Sequence, residues 1–194
     1  MLITFEGIDG AGKTTIARMT LNFLKQKGVD AVLFREPGGT KVGEIIREVL
    51  LNLDVDPLLE LLLFEASRRS LVVEKIIPSL REGKTVILDR FCDSTLAYQG
   101  FGRGIELSFV RKLNYVTTQG LEPDLTFLLD LDPLKAIERV REKTRFENLE
   151  FLKKVREGFL KIASEEKRII LIDADRPIEY VFNDVRERIE ESIK

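Results

Sequence analysis

Apolar residues gather in five short runs along the chain, at Leu2–Phe5, Ala31–Phe34, Thr85–Asp89, Leu125–Leu131 and Ile169–Ile172. Short, mainly apolar runs of this kind predict strands buried on both faces, as in a parallel sheet, not the alternation of a sheet with one wet face. Between them the spacing turns helical. Ile16, Thr20/Leu21 and Phe23/Leu24 recur at helical spacing, as do Val42, Ile45, Ile46, Val49 and Leu50, then Leu152, Val155, Phe159 and Ile162, and finally Ile178, Val181, Val185 and Ile189. Asp56-Pro57 and Asp132-Pro133 each predict a helix start, with the carboxylate as N-cap and proline in the first turn. The first of these helices is expected to run unbroken from Leu58 to about Leu80, and another is expected over Glu106–Gln119. Glycines and small polar residues between Phe91 and Gly104 predict a turn of helix followed by a loop. Strands alternating with helices predict an α/β fold in three layers, a five-stranded parallel sheet flanked by helices, with ligands at the carboxyl ends of the strands.

Composition narrows the picture. At 194 residues and 44% apolar content, the chain suits one domain with a full core. Thirty-one basic against 33 acidic residues leave a net charge of −2, which gives no reason to expect a nucleic acid polymer or a membrane as partner. No apolar run approaches the ~20 residues of a membrane span, and Cys92 is the one cysteine, so the expected location is cytoplasmic. Histidine is absent altogether, leaving carboxylates, lysines and arginines for any chemistry.

The first apolar run leads into Gly7-Ile8-Asp9-Gly10-Ala11-Gly12-Lys13-Thr14, which fits G-x-x-x-x-G-K-[ST] with a strand before it and a helical pattern after it. Glycines let the backbone wrap closely around phosphates while amide N–H groups and a helix N-terminus point at them. Gly7, Ile8, Asp9, Gly10, Ala11, Gly12, Lys13 and Thr14 are therefore the expected ATP-binding residues of a P-loop NTPase fold. Lys13 is expected to reach the β- and γ-phosphates, and the Thr14 hydroxyl to hold Mg²⁺. The third run ends in Asp89, followed by Arg90, and reads as a Walker-B-type strand. No N-K-x-D motif is present to read guanine, and no glutamate follows Asp89 to position a hydrolytic water. Arginines stand instead at Arg35, Arg68, Arg90 and Arg103 and crowd the segment Arg139, Arg141, Lys143, Arg145. Guanidiniums converging on two phosphate-bearing substrates suit phosphoryl transfer between nucleotides.

The blocks FEGIDGAGKTT, REPGGT, LLLFEASRR, ILDRFCDSTLAYQG and FGRGI, in this order and over nearly the whole chain, resemble the bacterial-type thymidylate kinases. The resemblance implies an ATP-dependent dTMP kinase that makes ADP and dTDP with Mg²⁺, built as a homodimer from one P-loop kinase domain over 1–194 with a short lid at about 141–148. It implies Lys13, Asp89, Arg90, Arg141 and Arg145 as catalytic residues, and Thr14, Asp89 and Asp9 around the metal. On the dTMP side it implies Phe64 stacking on thymine, Arg68 bonding a base oxygen, and Thr95 and Gln99 lining the base pocket. It further implies Tyr98 crowding the sugar's 2′ carbon, Asp9 approaching the 3′-OH and Arg90 clamping the acceptor phosphate, with Arg35 and Pro37 completing the set. Gly10 stands where eukaryotic relatives carry arginine, which implies a compensating arginine in the lid. There the usual pattern is shortened to Glu142-Lys143-Thr144-Arg145-Phe146-Glu147, leaving Arg145 and Arg141 as the candidates. A kinase for another nucleoside monophosphate or nucleoside would differ only in the acceptor pocket. A non-catalytic P-loop regulator would lack the acceptor arginines, and Arg68 and Arg90 argue against it.

Overall fold

The five apolar runs become five parallel strands, β1 (Leu2–Glu6), β2 (Ala31–Arg35), β3 (Thr85–Asp89), β4 (Leu125–Asp130) and β5 (Ile169–Asp173), in the sheet order β2-β3-β1-β4-β5. These come from a computed structural model that describes residues 1–140 and 148–192. β1 lies at the centre, with Ile3 opposite Ile87 on one side and Leu125 on the other. β1 and β3 are buried at every position, as continuous apolar runs require. β2 departs from the expected buried strand: it forms an edge, and Val32 to Phe34 are only half-buried because no strand covers their outer side.

Side-chain alternation along the strands divides the core in two. Ile3, Phe5, Ile87 and Phe127 point into a cluster with Ile16, Val155 and Val185, where Phe5 and Phe127 stack at 5.3 Å. Leu2, Val86 and Leu88 point the other way, onto Leu71, Val72 and Ile76. Both faces of the sheet are thus covered by helices.

In chain order the helices are α1 (Lys13–Gln26), α2 (Lys41–Asn52), α3 (Pro57–Leu71), α4 (Ile77–Arg81), α5 (Cys92–Thr95), α6 (Leu107–Thr118), α7 (Pro133–Arg139), α8 (Leu149–Glu165) and α9 (Ile178–Ser192). Asp56 caps α3 by accepting from the amides of Leu58 and Leu59, and Asp132 caps α7 through Leu134. The helix expected to run to Leu80 is interrupted by a wider π turn at Val72–Ile76, where the Ile77 amide reaches back to the Val72 carbonyl. Pro78 explains the break, since its ring lacks an N–H and crowds the carbonyl four residues back.

A second difference matters more for the site. The expected loop after α5 is helical, a π-type segment over Leu96–Gly102 with the Arg103 amide bonded to the Tyr98 carbonyl at 2.9 Å. Its glycines permit close packing rather than a turn. A Cβ at Gly100 would meet Leu107 at 2.5 Å, and one at Gly102 would meet Phe151 of α8 at 2.7 Å.

Candidate active site

The P-loop follows β1 and enters α1 directly. Gly7 has φ 135° and Gly10 has φ 83°, and a Cβ at either would fall 2.5 Å from a backbone carbonyl oxygen, that of Leu129 or Ala136. Glycine is required at both. The contact at Gly10 also gives a reason for the missing P-loop arginine, because a side chain there would strike the backbone of α7. Among the described residues no side chain caps the α1 N-terminus, so its first amides remain directed at the loop. Lys13, only 6% exposed, donates from Nζ to the Ile8 carbonyl at 2.8 Å, arched back over the loop. Burial, helped by the nearby Arg90, pulls its pKa down to about 8. The Thr14 hydroxyl donates to Asp89 Oδ2. These hard oxygens fit Mg²⁺, which takes one or two protein ligands and completes its shell with water and phosphate oxygens.

Arg90 ties the P-loop to the segment that follows β3. It follows the end of β3 with φ 75°, a left-handed backbone that non-glycine residues rarely adopt. That turn brings its NH1 to the Gly7 carbonyl at 3.1 Å and Ser94 Oγ at 3.0 Å, and its NH2 to Asp9 Oδ1 at 2.6 Å. The guanidinium also lies over the Tyr98 ring, 5.0 Å from its centroid. Glu6 secures this bend from below by accepting from the Phe91 amide at 2.8 Å and from Ser94. Burial pushes the Asp9 carboxyl up, but Arg90 and Lys13 outweigh it and hold its pKa at about 2. Asp9 is therefore ionised at neutral pH.

Beside Arg90 opens a cavity of about 150 Å³ whose wall includes Pro37, Phe64, Arg68, Thr95, Tyr98 and Gln99. Phe64 and Arg68 share one face of α3, as their spacing predicts. Phe64 is half-buried, with its ring on the cavity. Arg68 is 1% exposed and is no solvated charge: it binds Glu36 at 2.8 Å, Glu65 at 2.6 Å, Asn114 at 2.7 Å and the Phe91 carbonyl at 3.0 Å. Asp9 and Arg90 also line this cavity, so the space runs up to the P-loop.

Arg35 stands elsewhere. It is exposed and paired with Glu44 at 3.0 Å, outside the cavity wall. Arg141 and Arg145, with the expected lid, lie outside the described residues. Five wall residues were not among the expected site residues: the polar Glu36, Arg47 and Ser94 and the apolar Leu50 and Leu51. Arg47 donates to the Pro37 carbonyl at 3.0 Å and so faces inward from α2. Burial raises the Glu36 carboxyl to about 7 against the pull of Arg68. Only the adjacency of Glu36 to Pro37 in a polar block hinted at it, and Arg47 sits in a helix whose other polar residues face water.

A family model described as thymidylate kinase matches residues 5–185. A thymidylate kinase from Caldanaerobacter subterraneus subsp. tengcongensis is 44% identical over 99% of this chain and 96% of its own length. One from Chlorobium luteolum is 51% identical over 86% of this chain and 85% of its own. The crystal structure of thymidylate kinase from Ehrlichia chaffeensis superimposes with a TM-score of 0.85 at 39% identity, covering 97% of this chain and 98% of that one. The chain is matched along almost its entire length in sequence and superimposes on a solved relative over nearly all of its fold, and it belongs to the thymidylate kinase family.

Proposed function

We propose that this enzyme transfers the γ-phosphoryl group of ATP to the phosphate of dTMP, giving ADP and dTDP, with Mg²⁺ as cofactor. The observation that carries the reading is the position of Arg90, bonded to the P-loop at Gly7 and Asp9 while lining the cavity that holds Phe64 and Arg68. A cation so placed reaches an acceptor phosphate at the point where it meets the donor. The acceptor oxygen is already nucleophilic at neutral pH, so the protein needs to align it with the γ-phosphorus and spread positive charge over the transferring group. Lys13 and the α1 amides serve the donor phosphates, and Arg90 the acceptor. Thr14 and Asp89, with Asp9 nearby, would hold Mg²⁺, which would supply charge neutralisation to the donor phosphates. In the cavity Phe64 offers a face for stacking, and Arg68, Thr95 and Gln99 offer polar atoms to a base edge. Tyr98, against Asp9 and Arg90, restricts the space beside the sugar.

Coupled ADP release over a panel of nucleoside monophosphates tests the reading. dTMP should give the largest kcat/KM, and preference for a purine monophosphate would replace it with the other acceptor class. Phe64→Ala should weaken dTMP binding by about 1–3 kcal/mol while leaving ATP binding unchanged, as titration calorimetry with each nucleotide would report. Equal loss for both nucleotides would make Phe64 a packing residue.

The reading includes a homodimer in the cytoplasm, acting as one P-loop domain. Val42, Ile45, Leu58, Leu59 and Leu62 on α2 and α3 are 42–61% exposed, an apolar surface suited to a second copy of the chain. Sedimentation at micromolar concentration should give the mass of a dimer, and a monomer would contradict this part.

A further inference from the structure

Glu60, Phe64 and Arg68 lie on successive turns of one α3 face, at i, i+4 and i+8. Phe64 and Arg68 line the acceptor cavity, whereas Glu60 is fully buried behind the wall. Its Oε1 accepts from Gln99 Nε2 at 2.7 Å. Arg103 donates from Nε to the same oxygen at 3.3 Å and from NH2 to Oε2 at 3.0 Å, supplying the countercharge that a buried carboxylate requires. A glutamine amide is a donor at one end and an acceptor at the other, and a carboxylate only accepts. Glu60 therefore decides which way Gln99 points: the NH₂ turns toward Glu60 and the carbonyl turns away. Gln99 is 1% exposed and lines the cavity, and among the described residues its Oε1 accepts no hydrogen bond.

We propose that Glu60 is the positioning residue that sets pyrimidine selectivity, by making Gln99 present an acceptor to the base. Thymine and uracil carry an N3–H that matches such an acceptor. Cytosine has a lone pair at N3, so it would set acceptor against acceptor in a buried site and leave both unpaired. A site built around a hydrogen bond rejects the analogue that cannot make it far more strongly than a site built on shape alone. Arg103 extends the support outward, since its guanidinium lies 4.5 Å from the centroid of the Phe151 ring on α8.

This inference rests on the dTMP reading, and its test separates the two. In Glu60→Gln the neighbour can donate as well as accept, so the Gln99 amide is free to reverse. The ratio of kcat/KM for dTMP to that for dCMP should fall at least about tenfold, through a higher KM for dTMP with kcat within a few-fold, because the phosphate contacts are untouched. Glu60→Asp, which still only accepts, should keep the ratio. Equal losses for dTMP and dCMP in Glu60→Gln would make Glu60 a packing residue and overturn the proposal. Should Glu60→Gln fail to fold, competition in the unsubstituted protein decides: dCMP binding within about threefold of dTMP would mean that the amide points the other way. An unsubstituted protein without dTMP kinase activity would instead refute the parent reading.

Discussion

Lys13→Ala should abolish phosphoryl transfer and leave the fold in place. Lys13 Nζ is arched over the P-loop on the Ile8 carbonyl, in the region where the β- and γ-phosphates are to lie, and it makes no ion pair among the described residues. Losing a preorganised charge of this kind slows turnover by at least about 10³-fold. Its effect on folding runs the other way. Burial depresses the Lys13 pKa from 10.5 to about 8, so the folded chain binds fewer protons than the unfolded chain between those values. Stability from this group is present above pH 10.5 and is lost as pH falls through 8, which means that the charged lysine opposes folding at neutral pH. The melting temperature of Lys13→Ala at pH 7 should therefore stay within a few degrees of the parent. ATP phosphates favour the charged form, so ATP binding at pH 8 should take up protons, as calorimetry in buffers of different ionisation enthalpy would measure. The uptake should vanish at pH 6.5 and in the variant. Turnover within a few-fold of the parent would refute the P-loop assignment.

Arg90→Ala should be nearly as severe, with a different signature. The guanidinium spans from the P-loop to the acceptor cavity, so its loss should lower kcat/KM for dTMP by about 10³-fold, in both kcat and KM, with a smaller effect on ATP binding. Its geometry explains why lysine is a poor substitute: NH1 and NH2 bind different partners, and an ammonium offers no planar fork. The left-handed backbone at Arg90 costs about 1–2 kcal/mol for any side chain, and glycine alone escapes it. Arg90→Gly should thus melt above Arg90→Ala while being equally inactive. Rescue of activity by glycine would show that the bend, and not the guanidinium, matters. Steady-state kinetics and thermal melts of the two variants suffice.

The sheet was legible because its strands are short, mainly apolar runs, a pattern that burial on both faces imposes directly on β1 and β3, although the edge strands β2 and β5 are only partly covered. The P-loop was legible for a related reason: Gly7 and Gly10 are dictated by backbone contacts that admit no side chain. Arg68 could be placed on the face of α3 by spacing, but its burial could not, since of its partners only Glu65 is local, three residues back on the same helix, while Glu36 arrives from the segment after β2 and Asn114 from α6. The π-type segment over Leu96–Gly102 was hidden because Gly100 and Gly102 signal turns in isolation, and only the packing of Leu107 and Phe151 against them reveals another use. Glu60 was invisible for the same reason, being one acidic residue in the first turn of a helix, where carboxylates commonly sit for the dipole alone.

Product analysis decides whether the γ-phosphoryl group of ATP passes to the phosphate of dTMP. The purified chain is incubated with Mg²⁺, ATP labelled at the γ-phosphorus and dTMP, and the labelled products are separated. Label should appear in dTDP, with one ADP formed per dTDP and inorganic phosphate no higher than without dTMP. Label released as inorganic phosphate without dTDP would contradict that transfer.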